Sequence, residues 1–286
     1  MYEMEYIQIS KELTKRVDVL KGDGKSIGFV PTMGALHSGH LSLIEEAKKQ
    51  TDIIIVSIFV NPNQFNDPKD LEKYPRDIEK DVEKLIEVGC DILFSPTVED
   101  IYPEEDNRQF DFGLIDKVME GKHRPGHFNG VAQVVSRLFN IVNPDKAFFG
   151  MKDFQQIAII NEMVKQLKFN IEIVECPTIR ELDGLAMSSR NLLLDDERRK
   201  IAPIIAQSLN ESRKFAEKYS IKETIEYVES KINANELLDV EYFEIVDGNS
   251  LQAVNSWDDA DYIVGAIAVF AGEVRLIDNV VYKKDR

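Results

Sequence analysis

Two histidines, His37 and His40, bracket Gly39 at the junction between an apolar run and a helical pattern. Ile27-Gly28-Phe29-Val30 reads as a short strand, Pro31 and Gly34 supply a bend, and Leu41-Ser42-Leu43-Ile44 opens a helix. A helix start presents unpaired N–H groups and the positive end of the helix dipole, so it attracts anions without any basic side chain. Gly39 removes a Cβ that would hold a phosphate away from the backbone. The imidazoles add two donors, usable neutral or charged. A pair of histidines in one loop is often no more than a surface feature. Here the strand before it and the helix after it put the pair where open α/β sheets bind ligands. The chemistry this pattern suits is capture of a nucleotide's phosphates.

The rest of the composition makes that pocket stand out. The chain of 286 residues carries 35 basic and 51 acidic side chains, a formal charge of −16. Such a surface repels phosphate at long range, which argues against nucleic acid as a partner and requires a local positive site for any nucleotide. All four histidines fall in two short motifs, at 37/40 and 123/127. The apolar fraction of 43% suits a globular protein of one large or two modest domains. No apolar run reaches membrane-spanning length, so no membrane partner is expected. Met1-Tyr2-Glu3-Met4-Glu5 lacks the basic and apolar regions of a secretion signal. With two cysteines, Cys90 and Cys176, read as reduced thiols, a cytoplasmic location is expected.

The elements that must position these groups follow in order. Leu13, Val17 and Leu20 set a helix over 8–20. Gly24-Lys25-Ser26 imitates the end of a P-loop, but its first glycine would fall on Val19 and the strand follows instead of preceding it. Ile53–Val60 is nearly all apolar, the mark of a strand buried on both faces in a parallel sheet. It ends in Asn61-Pro62-Asn63-Gln64, whose amides can bind a substrate carboxylate or amine without adding charge. A helix over 75–88 and a strand over 91–94 come next, and the acidic segment 96–116 reads as surface cover. The stretch 119–130, with His123, Arg124 and His127 among its glycines, reads as a mobile phosphate-facing loop before a helix over 131–142. Lys146–Phe149 is a further strand. It ends in Gly150-Met151-Lys152-Asp153, where Asp153 can cap the next helix and Lys152 can reach a phosphate. A strand over 171–174 completes the sheet. From Asp195 the chain turns to charged helical segments (195–218, 222–235), an alternating strand (240–246) and a hairpin of 262–270 with 274–277. The expected fold is α/β: a Rossmann-like parallel-sheet domain over 1–180 and a smaller C-terminal α+β domain over 181–286, read as a lid.

Pro31-Thr32-Met33-Gly34-Ala35-Leu36-His37-x-Gly39-His40 resembles the signature of the pantothenate synthetase (pantoate–β-alanine ligase) family, part of the superfamily of nucleotidyl transferases and class I tRNA synthetases with a His-x-Gly-His loop. Met187-Ser188-Ser189-Arg190 resembles that superfamily's second, mobile motif. Two departures are visible, Asn63 where the family often has an apolar or small residue and Met151 where glutamate is common. The resemblance implies ATP-dependent joining of pantoate to β-alanine through a pantoyl adenylate, with release of AMP and diphosphate, in an enzyme that is usually a homodimer. It implies an ATP site lined by Met33, Gly34, Ala35, Leu36, His37, Ser38, Gly39 and His40, by Gly150, Met151, Lys152 and Asp153, by Ile179, and by Met187, Ser188, Ser189 and Arg190. His40 would carry the catalytic label, as a phosphate donor as much as a proton donor, with His37, Lys152 and Arg190 stabilising charge beside it. Gln64 and Gln156 would hold pantoate, Gln64 would also face β-alanine, and Asn61 is a further candidate there. Mg²⁺ would come with ATP, Asp153 being the one protein ligand considered. A nucleotidyl transferase that stops at the adenylylated product and a catalytically silent ATP-binding regulator are the other readings of the same residues.

Overall fold

The computed structural model describes residues 4–66 and 68–284. Met1 to Glu3, part of the segment read as lacking a secretion signal, lie outside the described residues. The chain divides into two compact units, one of Met1–Phe112, Arg124–Met151 and Ile159–Pro177, the other of Gly113–His123, Lys152–Ala158 and Thr178–Arg286.

The first unit is built on a six-stranded parallel sheet. In chain order the elements are β1 (Glu5–Ile7), α1 (Ser10–Gly22), β2 (Ile27–Thr32), α2 (Ser38–Gln50), β3 (Ile53–Ile58), α3 (Pro68–Lys73), α4 (Ile78–Val88), β4 (Ile92–Phe94) and α5 (Val98–Ile101). After α6 (Met119–His123), which groups with the second unit, come α7 (His127–Val142), β5 (Lys146–Gly150), α8 (Phe154–Leu167) and β6 (Glu172–Cys176). The strand order is β1-β4-β3-β2-β5-β6, and every pairing is parallel. From β2 the chain builds outward through β3 and β4, then returns to lay β5 and β6 on β2's other side. The order therefore reverses between β2 and β5, and the carboxyl edge of that pair is where such sheets bind ligands. Val30, Val56, Leu93 and Phe148 from the sheet pack against Ile44 and Ala47 of α2 and Leu85 of α4, all essentially inaccessible. Helices on the sheet faces leave strands such as Ile53–Ile58 little polar surface, which is why that run is legible in the sequence.

The second unit is a three-stranded antiparallel sheet, β7 (Asp239–Asp247), β8 (Tyr262–Ala271) and β9 (Val274–Lys284) in order β7-β8-β9, with α9 (Asp196–Ile201), α10 (Ile204–Ala216) and α11 (Ile221–Asn233). Its core sets Ile205, Leu209, Val228 and Ile232 of the helices against Phe243, Ile267 and Val269 of the sheet. Among the described residues, no helix is long and apolar enough to cross a membrane.

Several elements differ from the sequence reading. β1 is only three residues long and carries too little periodicity to register, yet it pairs with β4 from Glu5↔Ile92 to Ile7↔Phe94. The helix expected over 195–218 is interrupted at Ala202-Pro203, as proline in a helix interior requires. Segment 96–116 is not mere surface cover. Ile101 and Phe112 are buried, and the Asp106 carboxylate sits between Arg108 (2.5 Å) and Arg137 (2.7 Å), which hold it well below the usual carboxylate range. The stretch 119–130 is not an open loop: α6 and α7 occupy most of it, and Glu120 and His127 are buried. The unit division falls at Thr178, near the expected 180/181 boundary, but two short segments, 113–123 and 152–158, group with the C-terminal unit. Nothing in their local sequence pattern announces this.

Candidate active site

Between β2 and α2 the chain makes one corner, and a chain of hydrogen bonds fixes it. Thr32 Oγ1 donates to Ser57 O (2.7 Å) and accepts from Gly34 N (3.2 Å), tying the end of β2 to β3. Gly34 and Ala35 are both left-handed, at φ 83° and 49°. Glycine tolerates this conformation and alanine does so only at a cost. Ala35 N–H and Leu36 N–H then donate to the two oxygens of Asp81 at 2.8 and 2.7 Å. Burial raises the Asp81 pKa above the ordinary carboxylate value, against the opposing pull of those two donors.

His37 is the N-cap of α2. Its Nδ1 accepts from Gly39 N (3.2 Å), while His40 Nδ1 accepts from His37 N (3.3 Å), a capping box made of two imidazoles. The rings stack with centroids 4.0 Å apart. An Nδ1 that accepts from an amide carries no hydrogen, so a neutral ring must hold its hydrogen on Nε2. Both imidazoles thus keep Nε2–H as their donor. This refines the sequence reading, which gave the anion to unpaired helix N–H groups. Gly39 N–H is spent on His37, and His40 N–H on His37 O at 2.8 Å. The ring Nε2–H groups and the helix dipole are the positive features of the corner.

Gln64 lies past the end of β3, on a 3₁₀ turn over Pro62–Gln64. Its Nε2 donates to Met33 Sδ (3.0 Å), and its Oε1 accepts from Asn61 Nδ2 (3.2 Å). Asn61, only 1% exposed, also donates to Gly130 O (3.1 Å) and accepts from Tyr102 O–H (2.9 Å) and Asn63 N–H (3.4 Å). Its hydrogen-bonding capacity is used within the protein, so Asn61 anchors Gln64. Burial pushes the Tyr102 phenol up to about 12, keeping it a donor at neutral pH. His127 Nδ1 lies 2.8 Å from Gln64 O, and Arg124 approaches His127 Nε2 at 3.2 Å. With Nε2 accepting from the guanidinium, His127 donates through Nδ1, the opposite tautomer to His37 and His40. Arg124 and His127, read from sequence as phosphate-facing, instead hold the Gln64 main chain. A Cβ on Gly130 would stand 2.2 Å from Asn63 O, so α7 packs directly on this turn.

The other sequence-derived residues lie at the end of β5 or in the second unit. Gly150 ends β5, beside β2 on the sheet edge where the strand order reverses. Met151, Lys152 and Asp153 form a 3₁₀ turn leading into α8. Lys152 Nζ is 3.5 Å from its neighbour Asp153, and Lys152 O accepts from Asn279 Nδ2 at 3.1 Å. Of the paired glutamines, Gln155 is buried and donates to Ile115 O (2.7 Å) and Val118 O (2.9 Å), whereas Gln156 stays partly accessible. Ile179 and Met187 are brought opposite each other by a tight reversal: Met187 N–H donates to Ile179 O at 3.0 Å, and Arg180 bridges Ala186. Ser188 Oγ accepts from Arg190 N–H (3.2 Å) and caps the short 3₁₀ helix Ser189–Leu193. Arg180 is clamped to buried Asp278 at 2.6 and 2.9 Å, and Arg199 reaches Glu181 (2.7 Å) and Asp183 (2.6 Å).

Sequence reasoning overlooked Asp81, Lys84 and Tyr102, which sit among charged or proline-rich neighbours that read as solvated. Gly130 offered a signal, a glycine inside a helical pattern. Among the described residues no cluster of three His, Cys, Asp or Glu could hold a metal ion.

Known proteins complete the picture. A family model described as Pantoate-beta-alanine ligase matches residues 5–281. Pantothenate synthetase of Phocaeicola vulgatus is 56% identical over 281 residues, covering 98% of this chain and all of its own length. The crystal structure of pantothenate synthetase from Thermus thermophilus superposes with a TM-score of 0.92 at 40% identity, covering 98% of this chain and 100% of that one. Pantoate-beta-alanine ligase from Francisella tularensis, solved with beta-gamma ATP and beta-alanine, gives a TM-score of 0.82 at 36% identity, with 98% of each chain covered. A histidine-capped corner at the reversal point of a parallel sheet, and likeness along nearly the whole length to these enzymes, place the chain in the pantoate–β-alanine ligase family.

Proposed function

We propose that this protein condenses pantoate with β-alanine, using ATP and releasing AMP and diphosphate. The observation that carries the reading is the β2–α2 corner. Two imidazoles are locked there with Nε2 as donor, at the sheet edge where nucleotides bind, in a chain whose charge of −16 would otherwise repel them.

The pantoate carboxylate oxygen attacks the α-phosphorus of ATP, the bond to the bridging oxygen breaks, and diphosphate leaves. The β-alanine amine then attacks the acyl carbon of the adenylate, loses a proton, and expels AMP. His37 and His40 donate from Nε2 to the phosphate oxygens where charge grows, a task that needs preset donors more than covalent participation. Lys152 and Arg190 add cations to the same phosphates, Ser188 and Ser189 add hydroxyls, and the backbones of Met33–His40, Gly150–Asp153, Ile179 and Met187–Arg190 line the nucleotide. Gln64 and Gln156 orient pantoate, and Gln64 also meets β-alanine. Uncharged amides suit a mixed anhydride that water would destroy, because they do not activate a water molecule. In this reading the C-terminal unit acts as a lid over the nucleotide.

Mg²⁺ would come with ATP, and Asp153, a half-exposed carboxylate 3.5 Å from Lys152 Nζ, would be its protein ligand. When bound, the ion neutralises charge on the leaving diphosphate. The enzyme works in the cytoplasm as a homodimer; its two buried free cysteines, Cys90 and Cys176, accord with a reducing compartment.

The test is diphosphate and AMP release from ATP and pantoate, with and without β-alanine. A ligase releases diphosphate in a single turnover without the amine and AMP only when the amine is added. Diphosphate release with no AMP on adding amine would mark a nucleotidyl transferase. ATP binding with neither product would mark a silent regulator.

A further inference from the structure

Three backbone groups just ahead of the histidine cap are held by two side chains of one helix. Asp81 takes Ala35 N–H and Leu36 N–H on separate oxygens, and Lys84 Nζ donates to Leu36 O at 2.5 Å. Positions 81 and 84 are three apart on α4, so both face the same way. Asp81 is 1% exposed, an unusual place for a carboxylate. It is not there to cap its own helix, because Asp77 does that by accepting from Lys80 N–H at 3.2 Å. The segment it grips contains Gly34 and Ala35, both left-handed, and a Cβ on Gly34 would come within 3.1 Å of Asp81 Oδ2. A non-glycine residue stays in that region only where its surroundings over-determine it. The residue after Leu36 is His37, which begins the imidazole box.

We infer that Asp81 and Lys84 are positioning residues for the phosphate donors: by fixing Ala35 and Leu36 they set the path of the chain into His37 and so the direction of both Nε2–H groups. This rests on the reading of the corner as the ATP phosphate site. Neither residue touches substrate in this account. Their effect passes through the backbone to His37 and His40.

Asp81→Asn keeps shape but turns an amide –NH₂ toward one of two N–H donors, so one contact becomes repulsive. Lys84→Met removes the bond to Leu36 O, and Lys84→Arg restores a donor. The experiment combines steady-state kinetics on the full chain with ¹⁵N spectra of the imidazoles. In the wild type, His37 and His40 show the Nε2–H tautomer. Asp81→Asn is expected to mix the tautomers and lower kcat/KM for ATP about 10²-fold, the scale of a misplacement near 1 Å, while KM for β-alanine holds. Lys84→Met should lose about tenfold or less, and Lys84→Arg should recover most of it. A wild-type imidazole spectrum in Asp81→Asn overturns the inference. So does a loss shared equally by all substrates and tracking thermal stability, with no rescue by Lys84→Arg. If the wild type releases no diphosphate at all, the functional reading fails, and the imidazole spectra still decide the positioning claim by themselves.

Discussion

The β2–α2 corner and the Arg180–Asn191 segment carry the chain's two recognisable motifs, yet they are held in different ways. The corner is fixed by main-chain donors ending on side-chain acceptors: Asp81, two imidazole Nδ1 atoms and a threonine hydroxyl. The Arg180–Asn191 segment is fixed by ion pairs, Arg180 to Asp278 and Arg199 to Glu181 and Asp183, with the arginine side chains about 30% exposed. Hydrogen bonds from neutral amides respond little to salt, whereas ion pairs whose arginines reach solvent are partly screened. The difference is one of salt response: the corner's bonds should hold as ionic strength rises, and the ion pairs of the segment should weaken.

The largest effects come from removing one proposed phosphate donor inside the corner and one outside it. His40→Ala and Lys152→Ala should each lower AMP formation about 10²–10³-fold, the usual cost of a preorganised charge-stabilising group. His40→Ala should also cost about 1 kcal/mol of stability, because it removes the half of the capping box that accepts from His37 N–H, whereas Lys152→Ala should leave the thermal midpoint close to wild type. Equal stability losses would mean that both are structural.

The next largest effect concerns the ion pairs. Asp278→Ala strands a half-buried guanidinium and should destabilise the second unit by about 2 kcal/mol, less than a fully buried pair would because Arg180 stays partly solvated. Trp257, the chain's one tryptophan, lies in that unit and reports its unfolding by fluorescence. High salt should shrink the difference between mutant and wild type. A salt-independent difference would erase the distinction between the two regions.

Gly34→Ala tests the corner's own backbone. It places a Cβ on a left-handed residue at φ 83° and should cost about 1 kcal/mol, together with a rise in KM for ATP. The smallest effect is a matter of pH. Inside the first unit, Asp106 is held by two arginines, Arg108 foremost, and its pKa is lowered. Its stabilisation is therefore complete above the unfolded carboxylate value near 4 and fades as pH falls from there toward the folded one. Asp81 has the opposite sign, since burial raises its pKa: its contribution is full below about pH 4 and is lost as pH rises through the folded value. Thermal midpoints of Asp106→Asn and wild type should converge between about pH 4 and 2; parallel curves there would refute the pairing.

The sheet strands and the histidine loop could be read from sequence because each is local. A buried parallel strand is an unbroken apolar run, and a helix cap lies beside the residues it serves. The supports could not be read, because they arrive from far along the chain. Asp81 lies in Ile78-Glu79-Lys80-Asp81-Val82-Glu83-Lys84, a string indistinguishable from a solvated helix face. Tyr102 joins Asn61 across 41 positions and Asp278 joins Arg180 across 98, with no shared pattern to connect them. His127 was visible as a candidate, but its partner is a main-chain carbonyl, and no side-chain type signals that.

The reversal of strand order beside β2 also has a consequence for synthesis. Ile27 N–H ends on Asp145 Oδ2 at 2.7 Å, across 118 positions. As the nascent chain leaves the ribosome, β2 can pair with β3 early but waits for β5 until more than half the polypeptide has emerged. Closing so long a segment is slow relative to local pairing. The imidazole corner, whose supports Ser57, Asp81 and Lys84 all precede β5, can thus set before the sheet edge beside it is complete.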